Sequence, residues 1–178
     1  MPIRRPIHPL SAVMLVTLAA ATATATATGT ANADSGRLMP RDAPAAHAQE
    51  CASCHSAYPP GLLPAASWQR IMSGLDRHYG TDASIDATTV RELSRWLQAN
   101  AGTYKRVRGA PPDDRITRAD WFVRKHRELD AAAWKHPAVR SAANCAACHP
   151  GADRGDYDDD GVRLPAGLSA TWRARGRD

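Results

Sequence analysis

The clearest pattern along the chain is a set of large apolar residues spaced three and four positions apart between residues 65 and 80. The set consists of Trp68, Ile71, Met72, Leu75 and Tyr79. This spacing places them on one face of an α-helix, which has about 3.6 residues per turn. Gly80 directly follows and is predicted to end the helix. The pattern therefore predicts a helix over residues 65–80.

A second helix is predicted over residues 86–102. Its apolar stripe is Val90, Leu93 and Leu97, and Asp86 is in the right position to cap its first turn. Gly102 is predicted to end it.

A third helix is predicted over residues 120–134, with Asp120 as its N-terminal cap. His126 lies one turn after Phe122 and one turn before Leu129, which places this histidine on an apolar face. A shorter helix is expected over residues 47–58.

The remaining segments are rich in proline and glycine and lack the alternation typical of strands. Residues 59–64 are predicted to form a loop, and the charged stretch broken by Pro111 and Pro112 is interpreted as a domain boundary. The pattern therefore predicts an all-α fold with no significant sheet. We expect an N-terminal domain over residues 34–104 and a smaller, loop-rich C-terminal domain over residues 105–178.

The N-terminus indicates the compartment in which the chain acts. Arg4 and Arg5 precede an apolar run over residues 10–20, and residues 31–33 (ANA) form a small-residue cleavage site. This order is typical of a secretory signal peptide over residues 1–33, and the alternative is an uncleaved membrane anchor. We expect export to a Gram-negative periplasm.

Without that segment the chain is mildly basic and poor in large apolar residues. It carries 23 Lys and Arg and 18 Asp and Glu, and two cations lie in the leader, so the balance is 21 minus 18, or +3. No block of cations with interleaved aromatic residues indicates nucleic acid as a partner. Aromatic residues are 6% of the chain, and Phe122 is its one phenylalanine. Because this composition supplies little core, we expect a flat apolar cofactor to complete it.

The motif Cys-x-x-Cys-His occurs twice, as CASCH and CAACH. A zinc site with four cysteines would leave both histidines unexplained, and a redox disulfide of the thioredoxin type needs one motif beside a βαβ unit. Haem c explains every residue, because two thiols bond the haem vinyl groups and the histidine ligates iron. We predict two covalently bound haem c groups. Their attachment residues are Cys51, Cys54, His55, Cys145, Cys148 and His149.

The sixth iron ligand decides between catalysis and electron transfer. The candidates are His47, His78, His126, His136, Met39 and Met72. At 100° per residue, His78 lies about 20° from Ile71 on the predicted helix and so points from its apolar face. His78 and His126 are therefore the preferred ligands. His136, which precedes a proline, is the rival of His126.

The other candidates and the pairing follow from position. His47 is expected to be exposed and Met72 to pack in the core. The simplest pairing joins His55 with His78 and His149 with His126, although an exchange of the two distal histidines is also compatible with the spacing.

The segment DYDDDG, residues 156–161, matches the start of a calcium-binding loop. The twelfth position of such a loop should be Glu and is Gly167 here, so a solvated acidic loop is the preferred interpretation. It would also suit docking of a basic partner.

The residues around these motifs resemble the small periplasmic dihaem cytochromes c of proteobacteria. The resemblance covers about residues 50–165 and rests on the phrases ECASCHSAYPPGLLPAASW, GLDRHYG, WFVRKHRE and NCAACHPGADRGDYDDDGVRLP. It implies a domain similar to class I cytochrome c followed by a smaller haem domain, and bis-histidine iron with His78 and His126 in the matching positions. It also implies a transient partner, either a monohaem oxygen-binding c-type protein or a b-type membrane cytochrome. The tail over residues 171–178 extends past the family pattern.

Iron with two histidine ligands has no open position, so we expect electron transfer between a membrane quinol-oxidising cytochrome and a soluble haem protein, with no enzyme activity. The alternatives are a dihaem enzyme, such as a peroxidase or sulfur-compound oxidase, and a gas-binding haem sensor. Each of them requires one open iron.

Overall fold

The computed structural model describes residues 38–168, which belong to one compact unit. The predicted signal peptide and the tail over residues 171–178 lie outside the described residues. Within residues 38–168 there are five α-helices: α1 (Ala45–Cys51), α2 (Ala65–Ser73), α3 (Ala87–Ala99), α4 (Asp120–Lys125) and α5 (Ala131–Lys135).

Short 3₁₀ turns connect these helices and make up most of the C-terminal part. They are Pro60–Leu62, Leu75–Arg77, Pro112–Asp114, Ile116–Arg118, Cys145–Ala147, Ala152–Arg154 and Asp159–Gly161. Between residues 38 and 168 there is no strand, and one isolated bridge joins His78 to Thr81. The all-α prediction is therefore confirmed. None of the helices described is both long and apolar enough to cross a bilayer.

Helix α3 follows its sequence pattern closely. The Asp86 carboxylate accepts hydrogen bonds from the backbone N–H groups of Thr88 and Thr89 at 2.9 and 3.0 Å. This is the N-cap that the sequence predicted, and it satisfies donors that have no partner within the helix. Leu93 and Leu97 are buried completely or almost completely, so the predicted apolar stripe is confirmed.

The prediction of one helix over residues 65–80 is wrong in its second half. Helix α2 ends at Ser73, and Gly74 leaves the helical region with φ −128° and ψ 32°. Glycine in a helix costs more backbone entropy than other residues, so Gly74 is a natural end point. His78 follows the Leu75–Arg77 turn, and its placement on a helix face was therefore also wrong.

The predicted helix over residues 120–134 is two helices. Helix α4 ends at Lys125 with His126 as its C-cap, and α5 begins after Asp130. The Asp120 side chain caps nothing, whereas the Asp130 carboxylate accepts from the backbone N–H of Ala133 at 2.9 Å. A short carboxylate that bonds the backbone favours a cap over a helix interior, which explains the break.

The first motif also leaves its helix early, because α1 ends at Cys51 and not near residue 58. The predicted loop over residues 59–64 contains a turn, Pro60–Leu62, and is buried. Trp68 Nε1 donates to the Pro60 carbonyl at 2.7 Å. Gly61 has no room for a side chain, because a Cβ there would lie 2.3 Å from Thr103 Oγ1.

One hydrophobic cluster connects these elements. It consists of Leu62, Leu63, Trp68, Met72, Leu93, Leu97, Ile116, Ala119 and Phe122. The cluster includes Met72, as predicted, and draws residues from both sides of the predicted domain boundary.

Residues far apart in sequence also meet at Gly155. The N–H of Leu38 donates to the Gly155 carbonyl at 2.7 Å. A Cβ on Gly155 would lie 2.3 Å from the Met39 nitrogen, and its φ of +73° favours glycine. The start of the described chain is thus held against the loop that follows the second motif.

Candidate functional site

The structure brings four histidine rings together in two pairs. In the first pair, His55 and His78 have ring centroids 6.1 Å apart and planes 23° apart. His55 follows α1, and His78 is brought to it by the turn that ends α2.

The His55 ring is oriented by its neighbours. Its Nδ1 lies 2.6 Å from the Ser56 carbonyl and donates to it in the tautomer that leaves Nε2 free to bind a metal. The Tyr58 ring stacks on it, with centroids 4.7 Å and planes 13° apart. Such contacts fix the ring of a ligand histidine and its tautomer.

In the second pair, His126 and His149 have ring centroids 6.2 Å apart and planes 78° apart. His126 Nδ1 lies 2.9 Å from the Phe122 carbonyl one turn earlier, which again leaves Nε2 free. The Phe122 ring stacks on His126 at 4.1 Å, and Tyr157 lies 5.4 Å from His149.

Burial favours the neutral form of His78, His126 and His149. It is the main cause that lowers the pKa of His78, His126 and His149 below the ordinary value of 6.5. The facing histidine lowers the pKa of His78 and of His149 further. Neutral imidazole is the form that binds metals, so the lowered pKa of these three histidines suits ligation.

The four cysteines are free thiols beside these pairs. Burial raises the pKa of Cys51 and of Cys145 to about 11, whereas Cys54 is exposed. Across residues 38–168 no three His, Cys, Asp or Glu side chains come together in an arrangement that could hold a metal ion.

The ring separations test whether iron fits between the histidines. A metal–imidazole bond of about 2.0–2.1 Å, with each ring centroid about 1.1 Å behind its nitrogen, places two opposed centroids about 6.2–6.4 Å apart. The separations of 6.1 and 6.2 Å match this span. His55 with His78, and His149 with His126, could therefore each hold one haem iron.

The other candidates lie elsewhere. His136 follows α5, and its Nδ1 accepts the backbone N–H of Ala138 at 3.2 Å. Met39 packs against Gly155. The expectation that His47 is exposed is wrong: it is 3% exposed, because α1 carries it against Trp96, with ring centroids 4.7 Å apart.

Tyr58 connects the surroundings of the two pairs. While its ring stacks on His55, its hydroxyl donates to the Ala143 carbonyl at 2.7 Å, two residues before Cys145. This role of Tyr58 was not predicted from the sequence. The available signal was an aromatic residue three positions after the motif histidine.

Comparison with known proteins identifies the family of this chain. Residues 47–157 match the family described as dihaem cytochrome c. The chain belongs to the dihaem cytochrome c family. Membership implies two haem groups, and the resemblance inferred from the sequence is confirmed.

Solved structures of dihaem cytochromes c are similar in fold. The diheme cytochrome c from Rhodobacter sphaeroides is 38% identical, with a TM-score of 0.57, over 65% of this chain and 98% of that one. The diheme cytochrome type c from Shewanella baltica OS155 is 34% identical, with a TM-score of 0.61, over 72% of this chain and 96% of that one. Among curated proteins no sequence matches.

Proposed function

We propose that this dihaem cytochrome c transfers electrons between redox proteins and is not an enzyme. The observation that carries the proposal is the pairing of four histidines into two opposed sets, His55 with His78 and His126 with His149, at 6.1 and 6.2 Å. If each pair held one haem iron, its two histidines would leave no open position for a substrate.

The chain supplies attachment, ligation and shielding. The thiols of each CxxCH motif would form thioether bonds to a haem, and the four histidines would hold the two irons. Bound haem supplies one-electron oxidation and reduction. The Ser56 and Phe122 carbonyls, which accept from the His55 and His126 rings, keep these ligands in one orientation as the charge of the iron changes.

The compartment and partners complete the proposal. Thioether attachment suits an oxidising compartment, and the leader-like residues 1–33 support the periplasm. The fitting partners are a b-type membrane cytochrome that oxidises quinol and a soluble haem protein, such as a monohaem oxygen-binding c-type protein. Both contacts would be small and transient.

Low-temperature EPR of the oxidised holoprotein, exported and loaded with haem, tests this function. We expect two low-spin signals and two haems per chain that survive denaturation, since thioethers are covalent. A high-spin signal amounting to one haem per chain would contradict the proposal, because one iron would then have an open position.

A further inference from the structure

A shallow cavity of about 270 Å³ lies beside α4, on the solvent side of the helix. Its lining consists of Arg106, Trp121, Arg124, Lys125 and Arg127, and we call it the Trp121 cavity. Four of the five lining side chains are cationic. No aspartate or glutamate lines it.

The cations differ in how far they are already neutralised. Lys125 pairs with Asp159 at 2.7 Å, and Arg127 pairs with Glu128 at 3.0 Å. Arg106 and Arg124 have no hydrogen bond or ion pair with any residue between 38 and 168. These two guanidinium groups remain available to an acidic partner.

The Trp121 ring, which lines the cavity, is held in place by a contact with a second aromatic ring. The Trp121 ring meets the Tyr104 ring edge to face at 5.1 Å, and Tyr104 is anchored by its N–H to the Gly61 carbonyl at 3.2 Å. Trp and Arg are the residues most enriched where protein interfaces bind tightly. Exposed Val123, at 56%, adds apolar surface on the same helix.

The cavity is next to one of the histidine pairs. His126 stands between Lys125 and Arg127, both of which line the cavity, and its own ring turns inward onto Phe122. A protein bound over Trp121 would therefore lie one residue from a proposed iron ligand.

We propose that the Trp121 cavity is the docking surface for an acidic redox protein that exchanges one electron with the haem held by His126 and His149. This inference rests on the proposed function and adds the place and the charge of the partner. An acidic protein fits better than a small anion, because the unpaired arginines flank a tryptophan and offer both charge and apolar area. Charge complementarity of this kind speeds encounter and orients short-lived complexes.

The test uses the holoprotein and flavodoxin, an acidic one-electron donor. Flavodoxin hydroquinone loses one electron and one Fe(III) becomes Fe(II). The variant is Arg106→Gln with Arg124→Gln, and the matched control is Arg91→Gln with Arg95→Gln, which removes the same charge from exposed positions on α3. Stopped-flow kinetics give the second-order rate constant at low and high salt, and both variants must keep the wild-type haem spectrum.

At low salt, where charges act over about 30 Å, we expect the second-order rate constant of the cavity variant to be about fivefold to tenfold lower than that of the wild type. The rate constant of the control should fall less than twofold. Binding of oxidised flavodoxin, followed by NMR, should shift the amide signals of α4 in the wild type and not in the variant. Equal losses in both variants, or none in either, would overturn the docking surface.

Two further experiments distinguish a docking defect from a failure of electron transfer and from membrane binding. Photoreduced riboflavin, which needs no docking, should reduce all three proteins at the same rate. If it fails to reduce the wild type, electron transfer itself is refuted and the docking surface with it. Vesicles of phosphatidylglycerol test the membrane instead: loss of vesicle binding in the cavity variant with an unchanged flavodoxin rate would assign the arginines to lipid and overturn the proposal.

Discussion

The Tyr58 ring lies parallel to the His55 imidazole, with centroids 4.7 Å apart, while its hydroxyl reaches the backbone beside the second CxxCH motif. One side chain thus touches a proposed ligand of the first iron and the segment that would attach the second haem. Burial raises the pKa of this phenol well above its usual range, so it remains a hydrogen-bond donor.

Tyr58→Phe should keep the stacked ring and lose the hydrogen bond to Ala143. Because this leaves a part-buried carbonyl without its donor, we expect about 1–2 kcal/mol lower stability in urea unfolding. Tyr104→Phe is the matched control, because the Tyr104 hydroxyl has no hydrogen-bond partner between residues 38 and 168. An equal loss in both variants would show that the bond to Ala143 contributes nothing.

The two histidine pairs should give different EPR signals, because their ring planes are 23° apart in one pair and 78° apart in the other. Near-parallel imidazoles give a resolved rhombic low-spin spectrum, and near-perpendicular ones give a more anisotropic spectrum. His78→Ala should abolish the first and His126→Ala the second. Two identical spectra in the wild type would contradict this assignment.

Stability should fall in mild acid because of His47. Burial is the main cause that lowers the pKa of His47 below 6.5, so the unfolded chain takes up a proton before the folded one does. Above pH 6.5 His47 is neutral in both states and does not lower the free energy of unfolding. As the pH falls from 6.5 towards the lowered pKa, the free energy of unfolding decreases by at most about 1.4 kcal/mol per pH unit. Urea unfolding of the holoprotein at several pH values gives the free energy of unfolding as a function of pH. This free energy should depend less steeply on pH in His47→Phe than in the wild type. A slope unchanged by the substitution would refute the role of His47.

Gly155→Ala should be strongly destabilising. The residue has φ +73°, and a Cβ would lie 2.3 Å from the Met39 backbone nitrogen, which cannot move aside as a side-chain end can. We expect a loss of about 2 kcal/mol or more in thermal or urea unfolding. Gly109→Ala is the control, because its Cβ meets no atom within 4 Å. If both variants unfold alike, residues 38–39 are not held as described.

Substitution of two aspartates distinguishes one continuous helix over residues 120–134 from the two helices observed. Asp130→Ala should cost about 1 kcal/mol, because it removes the cap of α5. Asp120→Ala should change stability much less, since that side chain caps nothing. The reverse order, measured by urea unfolding, would support one continuous helix.

How far the sequence determined the fold varies from helix to helix. In α3 the cap and the stripe agree with the prediction, so Asp86, Leu93 and Leu97 could be placed without a structure, although the helix ends at Ala99 and not at the predicted Gly102. The helical period of residues 65–80 continues past Gly74, yet the backbone does not. Hydrophobic periodicity predicts which residues face the core, but it does not determine whether the backbone between them stays helical.

The site shows the same division. The CxxCH motifs identify their own chemistry. His78 was selected because it was expected on the apolar face of a helix; the chain is not helical there, yet the turn Leu75–Arg77 brings His78 beside His55. The contacts of His47 and Tyr58 depend on segments distant in sequence, Trp96 on α3 and Ala143 before the second motif. No local pattern encodes such contacts.

The hydrogen bond between Leu38 and Gly155 has a consequence for the order of assembly. In a chain exported N-terminus first, the first CxxCH motif would reach the folding compartment before Gly155, so residues 38–39 would have no partner until nearly the whole described chain had followed. Closing so long a loop is entropically slow. The contact between Leu38 and Gly155 is therefore expected to form last. In a chain that ended before Gly155, residues 38–39 would have no attachment beside the first motif.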